Sequence, residues 1–251
     1  MELSQNAAGN YRFLPGISPY SSGVVADDGF EVVHAYLAEA MPWHEALVGA
    51  RRYVESLGRP QQAICGVELR CPKPHTLEGF ISYNNEYRAV LTEWDMIIDG
   101  VNPVARTNVS PVIGPPAETV MHGFSFTRPA DVGRSTFVIA GGGELLAGGL
   151  ESRFIVRQGE TSPNAMLDKT KAVAMIMNQR LGALGAANRL LTTVDVYSSH
   201  PLQEGLEQVI AQEIPAAASV GVRWFYSRPP IEDIEFEMDM RGVVNDIIVQ
   251  L

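Results

Sequence analysis

Basic residues are scarce in this chain. It carries 19 Lys and Arg against 29 Asp and Glu in 251 residues, a formal charge of −10. A protein that grips DNA or RNA must neutralise phosphates, and here the basic side chains are outnumbered and scattered, with Arg51-Arg52 the one adjacent pair. No nucleic-acid partner is expected. Long apolar runs are missing as well: none reaches the length of a membrane span. The opening MELSQNAAGNYRF has no basic stretch followed by an apolar segment. These lacks predict a cytoplasmic protein with no membrane partner.

Cysteine is almost absent. Cys65 and Cys71 stand six residues apart in CGVELRC, on one face of an extended segment and too far apart to bond to each other. Free buried thiols are the expectation. The five histidines (His34, His44, His75, His122 and His200) show no HxxxH, HxH or Cys/His spacing, so no metal site is predicted. The Gly-rich AGGGELLAGG at 140–149 lacks the GK[ST] ending and the following helix of a phosphate loop, and no cofactor is expected.

What the chain does have is 46% hydrophobic residues, enough for a large core, and an internal repeat of weak identity but consistent order. ALVGARRYVESLGRPQQAICGVELRCPKPHTLEGF in the first half answers AMIMNQRLGALGAANRLLTTVDVYSSHPLQEGL in the second. Each has a helical segment closing on Leu-Gly, an alternating strand (Val67-Glu68-Leu69; Val194-Asp195-Val196), a Pro/His turn and a second helix. Ala46, Leu47, Ala50, Val54 and Leu57 fall at helical spacing after Pro42 and before Gly58. Ser162-Pro163 caps a second stripe of Met166, Leu167, Val173, Ala174, Met177 and Leu181, which reads as core. The later helices run over 77–94 and 202–213, the latter with Leu202, Leu206, Val209 and Ile210 on one face.

Strand-like segments flank each helical pair, and AETVMHGFSF and IEDIEFEMDM alternate like strands with one wet face. Each half therefore reads β–α–β–α–β–β, an α+β layer in which two helices pack on one face of a mixed sheet. The join falls in TRPADVGR, giving repeats at 1–128 and 129–251.

Arg106 lies in NPVARTNVSP, where Val104, Ala105 and Val109 suit a buried strand. A buried guanidinium needs a partner, because an unpaired charge there costs several kcal/mol. That partner is either an acid of the protein, for instance across a subunit interface, or a ligand carrying a carboxylate.

SPYSSGVVADDG, GFISYNNEYRAVL and NPVARTNVSPV, with FVIAGGGE, TTVDVYSS and RPPIEDIEFEMDM in the second half, together resemble the RidA (YjgF/YER057c/UK114) family, here in tandem. That resemblance implies a chorismate-mutase-like fold in each repeat and hydrolysis of enamines or imines to 2-keto acids and ammonia. It also implies trimers with ligand clefts between neighbours. Two repeats per chain make a homotrimer of six the simplest closed assembly. By position, Arg106 matches the carboxylate-binding arginine, Asn84 the helix asparagine and Tyr20 the N-terminal tyrosine.

Departures from the pattern fall on both halves. Met121 stands where the family has a glutamate, and Asn108 where a cysteine often follows. Glu237 supplies the acid in the second half, whose arginine position falls near Ala218 or Ser219. Asn84, Asn108 or Tyr20 can orient a water, but none is a good base at neutral pH. The Gly141 backbone N–H is expected to face the ligand of the neighbouring repeat. Three readings follow: an enamine/imine deaminase, a non-catalytic sensor of small carboxylates, or another hydrolase or lyase reaction on the same scaffold. The endoribonuclease label met in the family is set aside on charge.

Overall fold

Strands and helices alternate where the hydrophobic period switches between 2 and 3.6. A computed structural model describes residues 2–146, 151, 154–187, 190–202 and 209–251. Its elements in chain order are β1 (Ser4–Asn6), β2 (Tyr11–Leu14), β3 (Gly23–Ala26), β4 (Phe30–Pro42), α1 (Trp43–Ser56), β5 (Ile64–Arg70), α2 (Leu77–Glu93), β6 (Ala105–Pro111) and β7 (Val120–Pro129). The second half follows with β8 (Phe137–Gly143), α3 (Pro163–Ala183), β9 (Thr193–Tyr197), β10 (Arg223–Phe225), β11 (Ser227–Arg228), β12 (Glu237–Gly242) and β13 (Asp246–Val249). The expected helix over 202–213 falls partly outside the described residues; Ala211–Glu213 is helical. Among the described residues no helix is long and apolar enough to cross a membrane.

The fold is α+β, with two mixed sheets. One runs β11-β6-β5-β7-β4-β13 and the other β1-β2-β3-β8-β12-β9-β10. Inside each is the same four-strand unit. β4 is antiparallel to β7, β7 antiparallel to β5, and β5 parallel to β6. Likewise β8 is antiparallel to β12, β12 antiparallel to β9, and β9 parallel to β10. The halves also exchange strands: β3 extends the second-half sheet through β8, while β11 and β13 join β6 and β4 of the first.

Helices cover the outer faces. Ala46, Leu47, Ala50 and Val54 of α1 and Tyr87 and Leu91 of α2 pack on Val33, Val67, Leu69, Phe124 and Phe126. Val173, Met177 and Leu181 of α3 pack on Val194, Val196, Met238 and Met240. Between the sheets, Phe13, Val24, Val32, Cys65, Ala105 and Ala140 form a third core. This stacking corrects the expectation of one wet face on the strands at 117–126 and 231–240. Six of the ten residues of β7 and all of β12 are buried, because most of their polar residues face the other sheet instead of water.

Those inward polar residues form a charge network. His34 bridges Glu68 and Asp246, each at 2.8 Å. Arg241 reaches Glu68 and Asp195, both at 3.2 Å, and meets the Tyr36 hydroxyl. Arg223 forks onto Asp195 with two contacts of 2.6 Å. Glu68 and Asp195 are the matching acids of the two repeats, so Arg241 ties one repeat to the other. Burial opposes ionising Glu68, but His34 and Arg241 outweigh it and hold its pKa well below the ordinary carboxylate range.

Removing one partner from such a network strands the others, at a cost of about 3 kcal/mol or more. Arg241→Met is therefore expected to destabilise the protein by about that amount in urea unfolding at pH 7. The deficit should shrink as pH falls through the depressed pKa of Glu68, where its folded-state charge is lost. A cost below about 1 kcal/mol would contradict this account.

Candidate functional site

Along β6 the side chains alternate. Ala105 and Thr107 face the other sheet, whereas Arg106 points to α2. Arg106 is 2% exposed, yet among the described residues no carboxylate lies within ion-pair distance of it. Its Nη2 donates to Asn84 Oδ1 at 2.5 Å, and Nε and Nη1 have no partner among the described residues.

Four rings surround its guanidinium carbon: Tyr87 at 4.7 Å, Tyr20 at 4.8 Å, Tyr83 at 5.7 Å and Phe80 at 5.9 Å. Phe80, Tyr83, Asn84 and Tyr87 recur at i, i+3, i+4 and i+7, so one face of α2 supplies all four. Thr76 fixes the start of that helix by accepting from the Gly79 N–H at 3.0 Å.

Ring faces attract a cation but give its N–H groups no oxygen to bond. The side-chain nitrogen of Asn84, both amide atoms of Asn108 and the hydroxyls of Tyr83 and Tyr87 are also buried without partners. Buried polar atoms in folded proteins are nearly always paired, so this concentration makes the cluster a candidate for holding a polar ligand. An anion with acceptor oxygens, such as a carboxylate, answers Arg106 and the two hydroxyls together.

Beside this cluster opens a cavity of about 770 Å³, walled by Tyr20, Phe80, Gly141, Arg180, Ile234 and Glu237 among others. Tyr20 and Phe80 belong to both places, so Arg106 stands one aromatic layer behind the cavity wall. Glu237, at the start of β12, is buried; desolvation first, and then the charge of Asp239, push its pKa well above the usual carboxylate range. Arg180 and Arg106 pull in the other direction and do not prevail. Burial thus favours the proton-bearing form of Glu237 over the ionised one.

The sequence left open whether Arg106 and Glu237 meet. Each acts on the charge of the other's surroundings: Tyr20 and Cys71 feel both. Burial pushes the Cys71 thiol up to about 12, which leaves it inert as a nucleophile.

The glycine run has a physical reason. A Cβ on Gly141 would stand 2.2 Å from Glu237 Oε1, and one on Gly142 would stand 2.8 Å from Met177 Cε and 3.0 Å from Arg180 Nη1. The run clears β8 for these side chains. The expectation for the Gly141 N–H is corrected: it donates to Thr107 Oγ1 at 3.1 Å and is not free for a ligand. Thr107 in turn donates to Asp239 at 2.8 Å.

Pairing registers also shift two counterparts. Arg223 sits opposite Asp195, which puts Val222, not Ala218 or Ser219, opposite Val194 as Arg106 is opposite Val67. Ala217–Val220 is a short helix, so the strand begins later than its sequence suggests. Val120, not Met121, takes the place that Glu237 has in the second sheet. Arg180 escaped the sequence reading because it follows the apolar stripe of α3, and the only local signal for it was its charge beside Met177 and Leu181.

A family model described as 2-aminomuconate deaminase CnbZ matches residues 3–247. A 2-amino-5-chloromuconate deaminase of Comamonas testosteroni is 34% identical over 244 residues, 96% of each chain. These matches overturn the RidA resemblance, which rested on short local motifs, the Pro-Tyr-Ser segment and the arginine strand. Among solved structures, a chorismatase is similar with a TM-score of 0.47 at 12% identity, over 97% of this chain and 80% of that one. A cyanuric acid hydrolase follows with a TM-score of 0.37 at 11% identity, over 87% and 69%. Likenesses this distant carry no argument about activity.

An under-partnered buried charge costs stability while it waits for a ligand. Arg106→Met is therefore expected to leave the unliganded protein as stable as the wild type, or more stable by about 1 kcal/mol, in urea unfolding. A loss near that expected of Arg241→Met would mean that Arg106 is a structural ion partner instead.

Proposed function

The chain belongs to the 2-aminomuconate deaminase CnbZ family, and from that premise we propose that it is a hydrolytic deaminase of an amino-substituted dienedioate such as 2-aminomuconate. The observation that carries the proposal is Arg106, a buried guanidinium with two nitrogens unanswered among the described residues, behind a cavity whose wall holds Glu237, a carboxyl that burial disfavours in its charged form. A substrate of this class brings carboxylates and an amino group on a carbon–carbon double bond.

In this reading Arg106, with the hydroxyls of Tyr83 and Tyr87, receives one carboxylate, and Asn84 holds the guanidinium in place. Glu237 gives its proton to a chain carbon conjugated with the amino group, so that C2 becomes an imine carbon. Its carboxylate then takes a proton from water as the water oxygen bonds to C2. Glu237 passes that proton to the nitrogen, the C2–N bond breaks, ammonia leaves with the electron pair, and the C2 hydroxyl proton returns to Glu237 as the C2 carbonyl forms. One water is consumed for each ammonia released. Tyr20 and Phe80, which wall the cavity and cover Arg106, exclude further water from the imine. The homotrimer suggested by the repeat arithmetic remains part of the proposal, and a monomer in sedimentation would remove it.

Ammonia release from 2-aminomuconate tests this reading. Arg106→Ala should lower kcat/KM by about 10²-fold or more, through loss of a charge-assisted contact. Glu237→Gln should lower kcat by about 10²- to 10⁴-fold with little change in KM, since the amide can neither give nor take the proton. In the wild type, kcat should fall as pH rises through the elevated pKa of Glu237, where the carboxyl loses its proton. Wild-type levels of turnover in both variants would refute the proposal. Retained binding of a dicarboxylate without any ammonia release by the wild type would favour the sensor reading.

A further inference from the structure

A dienedioate carries two carboxylates, and the assignments above place only one. Resting on the deaminase reading, we infer that Arg180 is the receptor for the second carboxylate and so selects dicarboxylates over monocarboxylates.

Arg180 lies near the end of α3 and lines the same cavity as Tyr20, Phe80 and Glu237. Its Nη1 donates to the carbonyls of Ala140 at 2.9 Å and Gly141 at 3.4 Å, so β8 fixes the guanidinium by one nitrogen. Among the described residues no acid forms an ion pair with it. Gly142 is what lets it approach β8 so closely, since a Cβ there would meet Nη1 and the guanidinium carbon at 3.0 and 3.3 Å. Tyr20 lies over Arg106 and also feels the charge of Arg180. Tyr20 thus covers one guanidinium and shares the cavity wall with the other, and the two come from opposite halves of the chain.

An arginine on the cavity wall and a second one behind its Tyr20 and Phe80 layer make an arrangement that fits an extended diacid. It leaves a monoacid with one cation unanswered. Among the described residues Lys171 is the other cation on the cavity wall. It is exposed, and nine residues of helical rise put it about 13 Å from Arg180 along α3, farther than the two ends of a six-carbon diacid stand apart.

The test compares two six-carbon dienes that differ in one carboxylate, trans,trans-muconate and sorbate, by calorimetric titration of the full chain. Neither carries an amino group, so binding is read without turnover. The wild type is expected to bind muconate at least about tenfold more tightly than sorbate. Arg180→Gln should bring muconate down to the sorbate level and leave sorbate binding unchanged, which also reports that the variant is folded. If the amide variant binds neither diene, Arg180→Met, which keeps much of the stem packing, is judged by the same criterion.

Lys171→Gln should keep the full preference. A muconate preference that survives in the Arg180 variants, or is absent from the wild type, overturns the inference. A wild type that binds muconate tightly but releases no ammonia from 2-aminomuconate would refute the deaminase reading and leave the role of Arg180 standing.

Discussion

The Thr107 hydroxyl joins the two halves of this protein. It accepts the Gly141 N–H from β8 and donates to the Asp239 carboxylate on β12, so one side chain of the first half is bonded to two strands of the second. The approach requires glycine, since a Cβ at Gly141 would also stand 3.2 Å from the Thr107 Cα. Arg106 is the next residue along β6 and Glu237 lies two before Asp239 on β12. That contact ties the strand carrying Arg106 to the strands carrying Gly141 and Glu237.

Two buried arginines differ in how their charge is answered. Arg241 is surrounded by Glu68, Asp195, Asp239 and Asp246, and its charge is answered several times over. Arg106 has one amide and four rings. Burial is the same, 1% and 2%, so the difference lies wholly in the partners. A protein that desolvates a guanidinium without neutralising it accepts a stability cost, and a ligand carboxylate recovers that cost on binding. The elevated pKa of Glu237 has the same origin, burial that disfavours a charge its neighbours do not fully answer.

Local signals in the sequence carried much of this. The helix boundaries followed from caps that the structure contains: Ser162 accepts the Ala165 N–H at 3.3 Å, and Gly58 adopts a positive φ of 73° after α1. Arg106 stood out because a charge interrupts a buried strand, and Asn84 and Tyr20 do lie against it. The long-range pairings were not legible. Nothing in residues 1–26 says that β1–β3 extend the sheet of the other half, since strand addition is decided by tertiary contact. The burial of Glu68, Asp195 and Asp239 was hidden for a related reason: an alternating polar pattern looks the same whether it faces water or a second sheet. The family resemblance failed because short motifs around an arginine strand recur more widely than the whole-chain pattern that defines membership.

The most direct measurement is the thermal stability of the wild type and of Arg106→Met with and without saturating trans,trans-muconate. A ligand bound only by the folded protein must raise its stability in proportion to the logarithm of occupancy. The account predicts a midpoint that rises by several degrees in the wild type and does not move in Arg106→Met, although the two proteins are comparably stable without ligand. An equal rise in both would show that the carboxylate is bound elsewhere and would contradict it.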